Sequence, residues 1–254
     1  MSVIFTENLS KRYKGGTLAL KNLNLEVRES EVFGFIGPNG SGKSTTIHLL
    51  LNFIRPSGGS AQLFGEPVIG ARHRKRLGYV PETISLHTYH NGRGLLNFYG
   101  QLSGLKSLRL KRRIEEVLQF VGLQNDAKRR VSKYSKGMLQ RLGLAQALLH
   151  DPELLIFDEP TSNMDPVGRR EFRELVLDLK KQGRTVFISS HILSELGAVC
   201  DRVAIMQSGE LKRLEDLRTW NDVDDSSLEK LFFDTIEQER TDQASSHQSE
   251  SSDQ

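Results

Sequence analysis

The sequence of 254 residues contains a single cysteine, Cys200. One cysteine excludes a disulfide bond within the chain, and the apolar neighbours Ala198 and Val199 predict that this thiol is packed rather than reactive. No run of about 18 apolar residues is present, so the sequence predicts no membrane-spanning helix. The first residues also lack the basic and then apolar order of a signal peptide. Together these absences favour a cytoplasmic protein.

Internal repeats are absent as well, and the length suits one large domain or two small ones, with ample core. The net charge of +3 conceals an asymmetry, because residues 221–254 contain ten acidic and two basic side chains. Basic clusters lie at 72–76, 106–113 and 128–136. A solvated basic face is the simplest interpretation of these clusters. Contact with an anionic membrane surface or with nucleic acid is the alternative.

A glycine-rich loop between a predicted strand and a predicted helix is the feature around which the chain is organised. The apolar segment Val32 to Ile36 precedes the loop, and a helical segment, Thr46 to Phe53, follows it. The loop matches the pattern G-x-x-x-x-G-K-[ST] and consists of Gly37, Pro38, Asn39, Gly40, Ser41, Gly42, Lys43, Ser44 and Thr45. Its glycines allow backbone N–H groups to face a polyphosphate, which the lysine and the helix dipole also attract. The sequence therefore predicts a nucleoside triphosphate site.

Two carboxylates follow a second apolar run, Leu154 to Phe157, which is typical of a parallel strand buried on both faces. Asp158 and Glu159 then lie at the strand end where open α/β sheets bind their ligands. Ser44 and Asp158 are candidates to hold Mg²⁺, directly or through water, and Glu159 is the candidate to polarise an attacking water. His191 follows a later strand and is a candidate to bind the γ-phosphate or to hold Glu159 in place.

Alternating apolar positions and turn signals predict the remaining elements of an α/β protein. Strands are predicted at Val3 to Leu9, Leu20 to Val27, Ala61 to Phe64, Arg76 to Val80, Thr185 to Ser189, Val203 to Met206 and Leu211 to Leu214. A helical insertion is predicted from Asn91 to Lys133, and a helix is expected to begin at Asp165-Pro166. Leu228 to Ile236 is predicted as a short helix, and residues 241–254 as disordered.

Over roughly residues 3 to 218, the order of these segments resembles the nucleotide-binding subunit of ABC transporters. Gly37 to Thr45 is similar to the Walker A loop, and Leu154 to Glu159 to the Walker B strand with its catalytic acid. The segment Tyr134 to Arg141, YSKGMLQR, is similar to the LSGGQ signature that distinguishes this family from other P-loop ATPases. The resemblance implies an α/β fold: a P-loop NTPase core with a mainly parallel sheet, an N-terminal antiparallel β subdomain and a helical insertion subdomain.

The resemblance also implies a domain division and a reaction. The ATP-binding domain would cover residues 1–220, with its helical subdomain at about 83–140, and the acidic tail would follow at 221–254. The cofactors would be ATP and Mg²⁺, and the reaction ATP hydrolysis, with Glu159 and His191 as the catalytic residues. The resemblance further implies a dimer of two such domains, a homodimer or a pair with a paralogous ATPase.

Further nucleotide contacts follow only from the resemblance. Tyr13 would stack on the adenine. In the dimer each ATP would lie between the Walker loop of one subunit and the signature of the other, where Ser135, Lys136 and Gly137 open a helix toward the γ-phosphate. Asp165 belongs to the segment similar to the D-loop of the family, which spans 162–165.

Three positions depart from the family pattern. Glu82 stands where the family usually has glutamine; its carboxylate can ligate Mg²⁺, but it adds negative charge near the phosphates. Lys136 and Met138 differ from the usual signature, and Lys136 either faces the nucleotide of the partner or points to solvent. In the D-loop, Asn163 and Met164 replace the common Gly-Leu pair.

The signature, the ending Val80-Pro81-Glu82 and the segment 91–99 resemble the exporter branch that handles drugs, lipids and sodium. The resemblance implies an integral-membrane permease as a separate partner, docked near residues 82–98. It also implies a peripheral location on the inner face of the cell membrane. An importer ATPase shares every hydrolytic motif and is the first alternative. A soluble ABC ATPase acting on the ribosome or DNA is the second, although we expect no nucleic-acid partner. A module that binds ATP without turnover is the third.

Overall fold

The computed structural model describes residues 1–70, 72–162, 164–193, 196–220 and 227–237. Asn163 of the D-loop segment and the stretch 241–254, for which the sequence predicts disorder, lie outside the described residues. Cys200 is buried, as its apolar neighbours predict. No helix within the described ranges is long and apolar enough to cross a membrane.

The N-terminal part of the chain contributes an antiparallel sheet with the strand order β2-β1-β4-β5. Its strands are β1 Ser2–Arg12, β2 Leu18–Arg28, β4 Gly58–Leu63 and β5 Glu66–Pro67. In β2 the side chains of Leu23, Leu25 and Val27 are buried and their immediate neighbours are exposed, which is the alternation expected for a strand with one face on the core. The antiparallel β subdomain is therefore confirmed.

A six-stranded sheet forms the centre of the molecule, with the order β10-β9-β3-β8-β7-β6. Its strands are β3 Val32–Ile36, β6 Leu77–Val80, β7 Leu154–Asp158, β8 Thr185–Ser190, β9 Arg202–Gln207 and β10 Glu210–Asp216. All neighbouring pairs are parallel except β9 with β10. Every residue of β3, β7 and β8 is buried, so these strands are apolar on both faces.

Helices cover both faces of this sheet. They are α1 Lys43–Leu50, α2 Gly92–Leu102, α3 Ser107–Phe120, α4 Lys136–Leu148, α5 Pro166–Lys181 and α6, residues 227–237. The apolar face that the sequence predicts for α3 is buried at Ile114, Val117 and Leu118. The Asp165 side chain accepts a hydrogen bond from the Gly168 N–H at 2.7 Å, so the predicted start of α5 is confirmed.

Alternate residues of the central strands pack into two separate cores. Val32 and Ile36 of β3 face a core shared with the helices α3, α4 and α5. Phe33 and Phe35 face the second core, which the antiparallel sheet and α1 close. The central sheet is therefore held between two apolar layers, and its strand ends are fixed on both sides.

Some predicted boundaries are wrong by a few residues. The helix after the phosphate loop begins at Lys43 and ends at Leu50, rather than running from Thr46 to Phe53. Arg76 belongs to a 3₁₀ turn, Arg72–Arg76, and not to the strand that follows it. Phe64 has a φ of 55° and lies in the turn after β4, because its left-handed backbone cannot continue a strand.

Candidate nucleotide-binding site

The Walker loop leaves the buried strand β3 and enters α1, and its glycines occupy positions that exclude a side chain. A Cβ on Gly37 would overlap the carbonyl oxygen of Met206 and lie 2.5 Å from Ser41 Oγ. Gly40 and Gly42 have φ values of 81° and 104°, a backbone region that residues with a Cβ rarely adopt. The loop is therefore shaped by its glycines, as the motif predicts.

Lys43 lies buried at the start of α1. Its Nζ donates a hydrogen bond to the Gly37 carbonyl oxygen at 2.7 Å and lies 3.2 Å from Glu159 Oε1. The α1 N-terminus adds the positive end of a helix dipole to the same place. The Lys43 ammonium and the positive end of the helix dipole therefore meet at the loop, which suits a phosphate group.

Ser41 offers a second indication of a ligand. Its Oγ is buried and has no hydrogen-bond partner within the described part of the chain. A buried hydroxyl without a partner is costly in free energy. A phosphate oxygen in the loop would satisfy this hydroxyl, so the residues present fit a nucleoside triphosphate.

Asp158 lies at the end of β7, and its carboxylate is held by two hydroxyl groups. Ser189 donates to its Oδ1 at 2.7 Å, and Ser44 donates to the same oxygen at 3.4 Å. Burial raises the pKa of Asp158 above its usual value, although the Ser189 hydrogen bond opposes this. Ser44 Oγ and Asp158 Oδ1 are hard oxygen ligands at one point, which fits Mg²⁺ bound together with phosphate oxygens. Among the described residues no three His, Cys, Asp or Glu side chains form a metal site by themselves.

Glu159 and His191 are brought together by the parallel pairing of β7 and β8. His191 Nδ1 lies 2.7 Å from Glu159 Oε2, and the His191 backbone N–H donates to the same oxygen at 3.3 Å. Glu159 has a φ of 48°, and its own N–H donates to the Ser189 carbonyl oxygen at 3.1 Å. This backbone turns the carboxylate away from the strand and toward Lys43. The structure therefore brings the two candidate catalytic side chains into direct contact.

Ser189 is a site residue that the sequence reasoning missed. Its hydroxyl donates to the Asp158 carboxylate and accepts from the Glu159 backbone N–H at 3.1 Å, so it orients that carboxylate and fixes the backbone of Glu159. The available signal was a pair of serines, Ser189 and Ser190, at the end of an otherwise apolar strand. Because parallel strands end at the same edge of a sheet, such residues lie beside their neighbours' terminal side chains.

Tyr13 and Glu82 lie at the margins of the site. The Tyr13 hydroxyl is 3.4 Å from Thr45 Oγ1, and its half-exposed ring has the Lys11 ammonium over it at 5.4 Å from the centroid. Glu82 is exposed just beyond β6. Burial raises the pKa of Tyr79 to about 12, and the charges of Asp158 and Glu82 add to this effect. Both carboxylates therefore raise the pKa of the same phenol, that of Tyr79.

The signature residues lie apart from the Walker loop. Ser135 caps α4 by accepting a hydrogen bond from the Met138 N–H at 3.3 Å, and Ser135, Lys136 and Gly137 are all exposed. Across the described residues, no hydrogen bond or ion pair connects these three to residues 37–45. Asp165 is exposed at the start of α5, on the wall of the same cavity as Ser135. An exposed signature is what contact with a nucleotide on another subunit requires.

Comparison with known proteins identifies the family. The ABC transporter family profile matches residues 20–162. An uncharacterised ABC transporter ATP-binding protein of Nostoc is 46% identical over 219 residues, which cover 83% of this chain and 65% of the relative. The bacitracin transport ATP-binding protein BcrA of Bacillus licheniformis is 42% identical, with coverage of 83% and 68%. The Nod factor export ATP-binding protein I of Cupriavidus pinatubonensis is 36% identical, with coverage of 82% and 64%.

Solved structures agree with this result. The dimeric structure of an ATP-binding cassette in a post-hydrolysis state, bound to ADP and Pi, matches with a TM-score of 0.78 and 25% identity. The match covers 85% of this chain and 100% of that one. The fold, the Walker loop geometry and the family profile thus coincide, and the chain belongs to the ABC transporter family of ATP-binding proteins.

Proposed function

We propose that this chain hydrolyses Mg-ATP and that, as one half of an ATPase dimer, it powers export through a separate membrane subunit. The observation that carries the proposal is the buried ion pair of Lys43 with Glu159, together with the contact of the exposed His191 ring with the same carboxylate. It supports the assignment of Lys43 as a phosphate-binding cation, Glu159 as a general base and His191 as the residue that holds the base. A module that only bound ATP would not need this arrangement.

The Walker loop would bind the triphosphate through its backbone N–H groups, the Lys43 ammonium and the Ser41 hydroxyl. Ser44 and Asp158 would hold Mg²⁺, which neutralises charge on the phosphate oxygens when bound. Lys43 would then turn from Glu159 to the phosphates and release the carboxylate. Glu159 would accept a proton from the attacking water, and His191 would keep the carboxylate oriented.

The second half of each site would come from another ATPase subunit, either a second copy of this chain or a paralogue. The exposed residues Ser135, Lys136 and Gly137 at the α4 N-terminus, together with Asp165, would face that subunit's nucleotide. The dimeric arrangement of the structurally similar cassette supports this part of the proposal. Within this proposal, residues 1–220 of the present chain would form the ATP-binding domain, with the helical subdomain at about 83–140.

A membrane permease would dock on the helical subdomain near residues 82–98. Tyr89 is 93% exposed there, so its ring offers apolar surface that a bound partner would cover. The relatives named for bacitracin transport and Nod factor export support a transport role and its export direction. The chain would then lie on the cytoplasmic face of the membrane, held there by the permease.

The proposal is tested by affinity purification of the tagged protein from gently solubilised native membranes, followed by mass spectrometry. We expect one multi-span membrane protein to be recovered. Tyr89→Asp should reduce this recovery, whereas Phe233→Asp, an exposed aromatic on α6, should not. Recovery of ribosomal proteins or DNA-bound factors instead would exclude the transport role.

A further inference from the structure

A cavity of about 660 Å³ lies between α4 and α5. None of residues 37–45 lines it, so it is separate from the Walker loop of this chain. Its wall does include Ser135, Lys136, Gly137 and Asp165, which are proposed above to face the nucleotide of a partner subunit. Its volume lies within the roughly 300–1,000 Å³ that is typical of small-molecule sites. The cavity therefore has room for an organic ligand of drug size.

The inner wall of the cavity is apolar. Phe120 comes from the end of α3, Leu144 from α4, and Phe172 and Leu175 from α5. The ring of Phe172 makes an edge-on contact with the ring of Phe157, with the two centroids 5.5 Å apart, and this contact fixes its orientation. Aromatic rings contributed by two helices provide flat faces for an apolar ligand and an attractive surface for a positive charge.

Among the charged side chains at the rim of the cavity, acidic residues outnumber basic ones. Arg141 Nη2 lies 3.2 Å from Glu171 Oε2, so these two charges compensate each other across the gap between α4 and α5. Lys136 is the other basic residue on the wall, which also carries three further carboxylates, Asp165, Glu174 and Asp178. The rim thus has an excess of negative charge.

Two of these carboxylates already have partners outside the cavity. Arg170 Nε lies 3.2 Å from Glu174 Oε1, and Lys181 Nζ lies 2.9 Å from Asp178 Oδ1. Both contacts join exposed side chains on one helix, and such pairs contribute little free energy. A cation in the cavity can therefore attract these carboxylates without breaking a strong interaction.

We propose that this cavity binds an amphipathic organic cation, with its rings on Phe120 and Phe172 and its charge toward Glu174 and Asp178. The site adds to the proposed ATPase function and does not depend on it.

Tetraphenylphosphonium and tetraphenylborate test the proposal, because the two ions have nearly the same size and apolar surface but opposite charge. Isothermal titration of the full chain should show saturable binding of the phosphonium and at least tenfold weaker binding of the borate. Saturating ADP should leave the phosphonium affinity unchanged. Equal affinities for the two ions, or competition with ADP, would overturn the proposal.

A charge-reversal pair locates the site. Glu174→Lys combined with Asp178→Lys should weaken phosphonium binding at least tenfold, whereas the matched pair Glu229→Lys and Asp234→Lys on α6 should leave it unchanged. Both α6 residues are exposed and lie outside the cavity wall. Val167→Trp, at a wall position that is 66% exposed, should fill the cavity and abolish binding if the first pair does not fold. Unchanged binding in a folded variant of either kind would refute the site.

Discussion

The ammonium of Lys43 lies 3.2 Å from a carboxylate oxygen of Glu159, and both side chains are more than 90% buried. The pair joins the Walker loop to the end of β7, two segments that are far apart in the chain. Each charge lowers the desolvation cost of the other, and removing one leaves a buried charge without compensation. The phosphate-binding cation and the candidate base are therefore physically coupled.

Glu159→Gln should retain ATP binding and lose turnover by a factor of about 10²–10⁴, the usual contribution of a general base. The amide cannot accept a proton from water, but it fills the same space beside Lys43. Phosphate release and nucleotide affinity, measured on purified protein, separate the two effects. Glu153→Gln is the matched control, because Glu153 lies just before the same strand and is exposed. Turnover of Glu159→Gln near that of the wild type would remove Glu159 from its proposed role.

His191→Ala should lower kcat at least tenfold and change the affinity for ATP little. The substitution removes the ring that holds Glu159 Oε2 at 2.7 Å and leaves the Walker loop intact. Steady-state kinetics and equilibrium nucleotide binding are the measurements. His87→Ala, an exposed histidine packed on Tyr99, is the control. A loss confined to nucleotide binding would contradict the positioning role.

Gly37→Ala should destabilise the protein by about 1–3 kcal/mol, the usual cost of overpacking, and weaken ATP binding. The added Cβ would lie 2.5 Å from Ser41 Oγ, so the loop must shift. Gly58→Ala is the control, since its Cβ would have an ordinary contact at 3.7 Å with Ser10 Cβ. Thermal unfolding and nucleotide titration compare the variants. Equal behaviour of the two variants would show that the loop tolerates a side chain.

Cys200 should resist thiol reagents in the folded protein at pH values where free cysteine reacts. Burial raises the pKa of the Cys200 thiol above its usual value, so the reactive thiolate is disfavoured. Since the unfolded thiol loses its proton more readily, this group should also lower stability as the pH rises above about 8.5. The rates of thiol labelling, measured without and with guanidinium, compare the folded with the unfolded protein. Labelling of the folded protein at the rate of a free thiol would contradict the burial.

The sequence was sufficient for those parts of the site that depend on backbone geometry. The glycines of the Walker loop and the apolar run before Asp158 could be interpreted correctly because each satisfies a strict local requirement. The loop needs residues without a Cβ, and a strand buried on both faces needs consecutive apolar side chains. The same holds for the cap at Asp165, which begins α5 as predicted.

Contacts between segments that are distant in the chain could be predicted less well from the sequence. The ion pair of Lys43 with Glu159 depends on the left-handed backbone of Glu159, which no local pattern indicates. The sequence does not indicate a role for Ser189, because a serine at a strand end is common. Its contacts in the site follow only from the pairing of β8 with β7. The helix α1 begins earlier than predicted because Gly42, with a φ of 104°, permits a start inside the motif. It ends earlier than predicted because Asn52, with a φ of 54°, has left the helical conformation.

The strands β6 and β7 are neighbours in the central sheet, although α2, α3 and α4 all lie between them in the chain. The helical insertion therefore leaves the sheet and returns to it at adjacent positions. Its length and surface can change over evolution without altering the spacing of the strand ends that hold Asp158 and Glu159. The proposed permease contact near residues 82–98 and the strand ends proposed to cleave ATP thus lie on separable parts of one chain, whereas the signature residues at the start of α4 belong to the insertion.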